Sequence, residues 1–248
     1  MTMVLTPLPP TQNPVTGYES VAENNGLIFP DADGEPMSDN TLQFQWIVTI
    51  KEGLETLFAT DPNVFVAGDL LWYPTETNNR IRAAPDVMVA FGRPKGYRGS
   101  YKQWREGGVA PQVVFEILSP GNRNGEMSQK AIFYDRWGVE EYYVYNPETW
   151  AFSALVRSVI TGALEDVPLP DSGYISPRLQ VRFHLSGDGL VIYRPDGEPL
   201  KTHTELFVER DAANAARDAA NAARDAERAA KDRLAAKLRE LGIDPDAV

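Results

Sequence analysis

Leu42, Trp46, Ile47, Ile50, Leu54, Leu57 and Phe58 recur every three or four residues. That is the period of one helix face, and it predicts an amphipathic helix running to about Ala59, with Ser38 or Asn40 as its N-cap. After the turn at 61–63 the period changes. VFVAGDLLWYP (64–74) is β-branched and aromatic and ends at a proline, which predicts a strand bulged at Gly68. PDVMVAFG (85–92) predicts a second strand. PQVVFEILSP (111–120) predicts a third, whose almost unbroken apolarity implies burial on both faces and hence a central strand flanked by helices. A helix over 126–137 follows, with Gly138 suited to its left-handed cap. EEYYVYNP (140–147) predicts a fourth strand, and shorter ones are expected near 151–157, 179–183 and 189–193.

The ends of the chain differ from this middle. The first residues are rich in Pro and Thr, and 18–39 mixes Gly, Pro, Asn and Asp without a period, so a loose segment over 1–26 leads into a loop packed on the core. From about Glu205 the composition turns to alanine. DAANAAR occurs at 211–217 and 218–224 and degrades to DAERAAK at 225–231, before Gly242 and Pro245 stop the pattern. Alanine is the best helix former, and a seven-residue period keeps Asp and Arg on fixed faces. The expected organisation is therefore an α/β domain over 27–204 and a helical arm over 205–248. The arm is either a solvated single helix held by charge pairs or an alanine coil that docks a partner or a second copy.

Composition narrows the chemistry. The 248 residues include no Cys, which removes disulfides, thiolate metal sites and cysteine nucleophiles. With only His184 and His203, histidine-based metal sites and triads are equally disfavoured. Catalysis would have to run on carboxylates, lysines and hydroxyls. The net charge is −11, with no Lys or Arg in residues 1–40 and a nearly balanced middle. An acidic surface disfavours generic nucleic-acid binding but leaves room for a local basic cleft. The amino terminus does not resemble a secretory signal and no apolar run is long enough for a membrane span, so a cytoplasmic protein is the expectation.

Against that background Glu116 stands out, in the middle of VVFEIL. A carboxylate in a central strand costs several kcal/mol unless it is paired or bound to a metal. Asp86 opens the preceding strand, and Lys130 lies on the helix directly after the glutamate strand. Together they suggest a divalent-metal site, because two or three carboxylate oxygens from adjacent strand ends, with water completing an octahedron, is how Mg²⁺ is usually held. Asp69 is a candidate third carboxylate, and Glu55, on the first helix, a weaker one. Glu126, Lys130 and Tyr134 share one helix face at four-residue spacing, which a simple surface Glu–Lys pair would also explain.

At these residues the sequence resembles the Uma-two family of restriction-endonuclease-like proteins, within the PD-(D/E)XK nuclease superfamily. The resemblance runs through FPDADGEPMSDNTLQFQW, VFVAGDLLWYP, APDVMVAFG, FGRPKGYRGSYKQW, PQVVFEILSP, EMSQKAIFYDRWGVEEYYVYNPE, SPRLQVRF and IYRPDG, covering residues about 27–200. It implies a restriction-endonuclease-like mixed β-sheet flanked by helices, and hydrolysis of DNA phosphodiesters dependent on Mg²⁺ or Mn²⁺. On this pattern Asp86 stands for the first motif acid and Glu116 for the second. The superfamily's lysine two residues after the second acid is Leu118 here, and Lys130 matches a lysine displaced onto the following helix. Asn146 is a smaller departure, where the family pattern has Asp before the proline.

Three functions remain open on the sequence. The first is a metal-dependent endonuclease using Asp86, Glu116 and Lys130. The second is a non-catalytic protein that keeps the fold and associates, as a homodimer or with another partner, through its helical arm. The third, a carboxylate glycosidase, is disfavoured by the lysine beside the acids. If DNA is the substrate, the loop 91–108 is the candidate contact: Arg93, Lys95, Arg98 and Lys102 stand among Tyr97, Tyr101 and Trp104, although a solvated loop anchored by its aromatics fits as well.

Overall fold

In the computed structural model, residues 26–32, 34, 38–120 and 124–241 are described. The loose segment expected over 1–26, apart from Gly26, and part of the loop expected over 18–39 fall outside them.

Helix α1 (Thr41–Leu57) starts where Asn40, in an extended conformation, accepts a hydrogen bond from the Gln43 N–H. Its buried stripe is Gln43, Ile47, Ile50 and Leu54. Strand β1 (Val64–Gly68) follows, but the expected strand over 64–74 is not one element. Asp69 takes a left-handed conformation (φ 46°) that breaks it, and the chain resumes as the two-residue β2 (Trp72–Tyr73) in another sheet. A bulge was expected here, but a left-handed residue turns the chain out of the ladder altogether.

The remaining elements are β3 (Val87–Phe91), β4 (Tyr101–Lys102), a 3-10 turn (Gln103–Glu106), β5 (Val113–Ile117), α2 (Asn124–Trp137), β6 (Glu141–Tyr145), β7 (Phe152–Arg157), β8 (Leu164–Asp166), β9 (Tyr174–Ile175), β10 (Arg182–Ser186), β11 (Gly189–Tyr193) and α3 (His203–Glu240). The main sheet has the order β1-β3-β5-β6-β7-β8. All its neighbours are antiparallel except β5 and β6, which run parallel and are joined across α2. A parallel pair needs such a crossover, and this one places α2 directly after the glutamate strand. The expected mixed sheet flanked by helices is thus present, and β5 lies inside it with all five residues buried.

Each strand divides its residues between two apolar layers. Val113, Phe115 and Ile117 of β5 pack with Ile47, Ile50 and Leu54 of α1 and with Val181, Phe183 and Ile192 around the small β11-β10-β9 sheet. Val114 faces the other way, into a layer with Met88, Tyr134 and Tyr142. Alternation therefore sends Glu116 toward α2. The expected strand at 179–183 begins only at Arg182, because Gln180 is left-handed (φ 59°) and its N–H closes a turn onto Ser176. Gly138 caps α2 as expected, with φ 93°.

A second buried carboxylate ties the small sheet to the large one. Glu141 is 1% exposed and accepts hydrogen bonds from Tyr143 O–H, Ser176 O–H and the Arg178 N–H. With three donors aimed at it, it needs no cation partner to be tolerated inside. The arm, α3, begins at a capping box made by Thr202 and Glu205, and its described side chains are exposed along almost the whole helix. No described helix is long and apolar enough to cross a membrane.

Candidate active site

Glu116 is 2% exposed, and both of its oxygens are engaged from α2. Tyr134 donates its hydroxyl to Oε1 at 2.5 Å, and the Lys130 ammonium donates to Oε2 at 2.7 Å. Four-residue spacing stacks Lys130 and Tyr134 on the helix face that looks down on β5. The position of Tyr134 is fixed in turn by Trp72, whose ring lies parallel to it at 6.2 Å.

Asp86 reaches the same strand from the side. The β3–β5 ladder ends at Val87↔Phe115, which leaves the Ile117 N–H without a strand partner. The Asp86 carboxylate accepts that N–H at 2.6 Å. The carbonyl of the same residue accepts from Gln43 Nε2 at 2.8 Å, while Gln43 Oε1 accepts from the Asp39 N–H. The end of β5 is thus held both by Asp86 and by α1. Gln43 is absent from the residues that the sequence singles out, although its signal is there: a polar residue set in the stripe 43–47–50–54, on the face otherwise given to the core.

Electrostatically the site carries more acid than base. Burial pushes the Asp86 carboxyl well above the usual carboxylate range, and the charges of Glu116 and Asp69 push it further. The Ile117 N–H and Lys130 oppose that shift without cancelling it. Burial likewise raises Glu116, against the pull of Lys130 and Tyr134. Burial alone would lower the Lys130 ammonium, but Glu116, Asp86 and Glu126 outweigh it and hold the lysine above its ordinary value and charged. Tyr134, buried against Glu116, is raised well above the phenol range and stays protonated as a donor. Among the described residues one ammonium therefore faces two inward carboxylates, and the imbalance favours either a bound proton or a further cation.

Asp86, Glu116, Lys130 and Tyr134 are brought together as a unit. Glu126 sits one turn before Lys130 and is exposed, acting on the site through its charge. Asp69 is near enough to raise Asp86, and its N–H donates to the Asp86 carbonyl, yet among the described residues no three Asp, Glu or His side chains converge as a metal cluster. Glu55 is set apart. It pairs with Lys95, beyond the opposite end of β3 from Asp86, at 2.7 Å.

The basic loop is also less free than its composition implied. Arg98 forks onto both oxygens of Glu106 at 2.6 and 3.1 Å, donates to the Pro94 and Gly96 carbonyls, and lies over the Phe65 ring at 4.0 Å. Lys95 is held by Glu55, Arg93 donates to the Gly92 carbonyl, and the Lys102 ammonium stands 5.6 Å from the Phe29 ring. Tyr101 is buried and Trp104 packs on Phe29, leaving Tyr97 as the outward ring. This loop braces the body, and the charges of Lys95 and Arg98 are already met.

The model of the Uma2 family, described as "Putative restriction endonuclease", matches residues 32–191, more than half of the chain. The chain belongs to the Uma2 family. The match spans α1, the acid pair, Lys130 and most of the small sheet. Among solved structures, a "putative nuclease" of DUF820 from Anabaena variabilis ATCC 29413 is similar at 13% identity and TM-score 0.43, over 59% of this chain and 79% of that one. Comparison with curated proteins finds no match.

Proposed function

We propose that this Uma2 protein is a metal-dependent DNA endonuclease centred on Asp86, Glu116 and Lys130. The observation that carries the reading is that, among the described residues, one buried and one partly buried carboxylate face a single ammonium. Two carboxylates suit Mg²⁺ or Mn²⁺, hard cations that keep several waters and complete their shell with substrate phosphate. Glu116 can still contribute, since each of its oxygens has a second lone pair beyond the bonds from Lys130 and Tyr134. Bound between Asp86 and Glu116, the ion would supply a more acidic water and neutralise charge on the phosphate. Lys130, whose side chain is 26% exposed, is positioned to orient a water and to offset negative charge developing at phosphorus. Tyr134 is a positioning residue that fixes the Glu116 carboxylate, and Gln43 is another, acting through Ile117. Calorimetric titration with Mg²⁺ or Mn²⁺ is expected to show cation uptake by the parent and none by Glu116→Gln, with nicking of supercoiled plasmid following the same pattern. Equal cutting by the two proteins would remove this site from consideration.

The exposed arm favours a second element of function, association with another copy. Ala212, Ala216, Ala219, Ala223, Ala226 and Ala230 form a seam at alternating four- and three-residue spacing on α3. Asp211, Asp218 and Asp225 flank one side of it, and Arg217, Arg224 and Lys231 the other. In a parallel pair the acidic flank of each helix meets the basic flank of its partner, whereas an antiparallel pair sets like against like. Ala219→Glu with Ala223→Glu preserves helix propensity but places charge in the seam. Light scattering on the full chain is expected to show a dimer for the parent and a monomer for this variant. A monomeric parent would end this reading.

A further inference from the structure

We propose that a groove along the outer face of α2 binds the phosphodiester backbone of the nucleic acid, leading it to the acid pair. The inference takes its ligand class from the nuclease reading and adds where that ligand lies. The groove encloses about 330 Å³ and is lined by Arg80 and Arg82 on one wall and by Gln129, Phe133, Arg136 and Trp137 of α2 on the other. Among the described residues no acidic side chain lines it.

Several arginines elsewhere on the body are already paired with carboxylates. Arg98 is paired with Glu106, Arg157 with Asp135, Arg178 with Glu140 and Arg194 with Asp196. Among the described residues, Arg80, Arg82 and Arg136 have no carboxylate partner. Arg82 makes only a long contact of 3.5 Å with the Tyr73 hydroxyl, and Arg136 lies 5.4 Å from the Trp137 ring. Three guanidiniums without a carboxylate partner, gathered in one groove, create a local positive field on a chain of net charge −11. Guanidinium forks match phosphate oxygens bidentately, and the rings of Phe133 and Trp137 offer apolar faces beside them for sugars or bases.

Position ties the groove to the site. The bridge between Trp72 and Ala83 fixes the Arg80–Arg82 segment beside β2. Trp72 packs edge-on against Phe133 at 5.5 Å and flat on Tyr134, so the wall of the groove rests on the same ring that fixes Tyr134, the donor to Glu116. Arg82 precedes Asp86 by four residues, at most about 14 Å of extended chain. Lys130 follows Gln129, a lining residue of the groove, along α2 and turns inward to Glu116. An acidic peptide would satisfy the arginines equally well, but it has no use for the neighbouring aromatic faces or for the acid pair.

The test uses the full chain carrying Arg80→Glu and Arg136→Glu, both at exposed positions. A fluorescein-labelled duplex and a labelled single strand are titrated by anisotropy in EDTA over a salt series, alongside thermal melting and plasmid nicking with Mg²⁺. The expected result is an unchanged melt and at least about a tenfold loss of affinity, with the log–log salt slope shallower by about 2, since each phosphate no longer neutralised takes about 0.9 from it. Unchanged affinity and slope in the variant would overturn the groove while leaving the nuclease reading to the Glu116→Gln result. Weakened binding together with undiminished cutting by Glu116→Gln would keep the groove and sink the proposed active site. A parent that binds neither nucleic acid, or from which polyglutamate displaces the duplex as readily as unlabelled DNA does, would overturn the assignment of the ligand.

Discussion

Lys130→Met is expected to stop cleavage and weaken the fold together. Nicking should fall by about 10²–10³-fold, the usual consequence of removing one electrostatic interaction with the reacting group. Stability should fall by about 3 kcal/mol in urea denaturation, because Glu116 is 2% exposed and would lose the ammonium that offsets its burial. Glu116→Gln should be milder for the fold, at about 1–2 kcal/mol, since Lys130 is 26% exposed and can turn its ammonium to water. It should be at least as severe for activity. The double variant removes both charges and is expected to be more stable than Lys130→Met alone while remaining inactive, so the cycle separates pairing energy from catalysis. A Lys130→Met protein as stable as the parent would mean that Glu116 is neutral in the folded state.

Asp86→Asn is expected to do the opposite to stability. The Asp86 carboxyl is raised by burial and then by Glu116, so the folded chain holds its proton more tightly than the unfolded chain does. That contribution is fully present below the ordinary aspartate pKa of about 3.9 and is lost as pH rises through the higher folded value. Asparagine keeps an acceptor oxygen for the Ile117 N–H but carries no charge beside Glu116. The variant should therefore melt above the parent at neutral pH, by about 2–4 °C for each kcal/mol gained, with the gap closing toward pH ~4. Nicking should be lost by about 10²-fold or more. Mg²⁺ should raise the melting point of the parent, by about 2.7 kcal/mol of added stability at a hundredfold excess over Kd, and leave the variant unmoved. A variant that melts below the parent across the whole range would show that Asp86 is needed for folding and is not held there against its preference.

Both expectations rest on residues that can be read from the chain. Glu116 is visible because a charge inside VVFEIL has no local explanation, and Lys130 and Tyr134 because helical spacing alone puts them on one face. Gln43 is easily overlooked although it breaks the apolar stripe of α1, because a single polar residue on a helix face says nothing of what it meets. The loop at 91–108 misleads for a related reason. Its basic residues are counted easily, but Glu55 lies 40 positions before Lys95, and that pairing exists only because α1 packs across the sheet. The groove of Arg80, Arg82 and Arg136 is invisible in the sequence for the converse reason, since its two walls come from segments about fifty residues apart that meet through Trp72.

What the sequence by itself determined are properties set by neighbours a few positions away. These are the helix of α1 and its cap, the buried character of β5, the helix that follows it, the alanine arm, and the absence of thiol chemistry. Tertiary structure alone decided which charges cancel. Glu116 meets Lys130 because strand alternation turns it toward α2, Glu141 is satisfied by donors from the turn at 176–178, and Arg98 is neutralised while Arg80 and Arg136 are left open. Periodicity is a local property of the chain, whereas the partner of a charge depends on strand register and helix crossing, which only the folded packing selects.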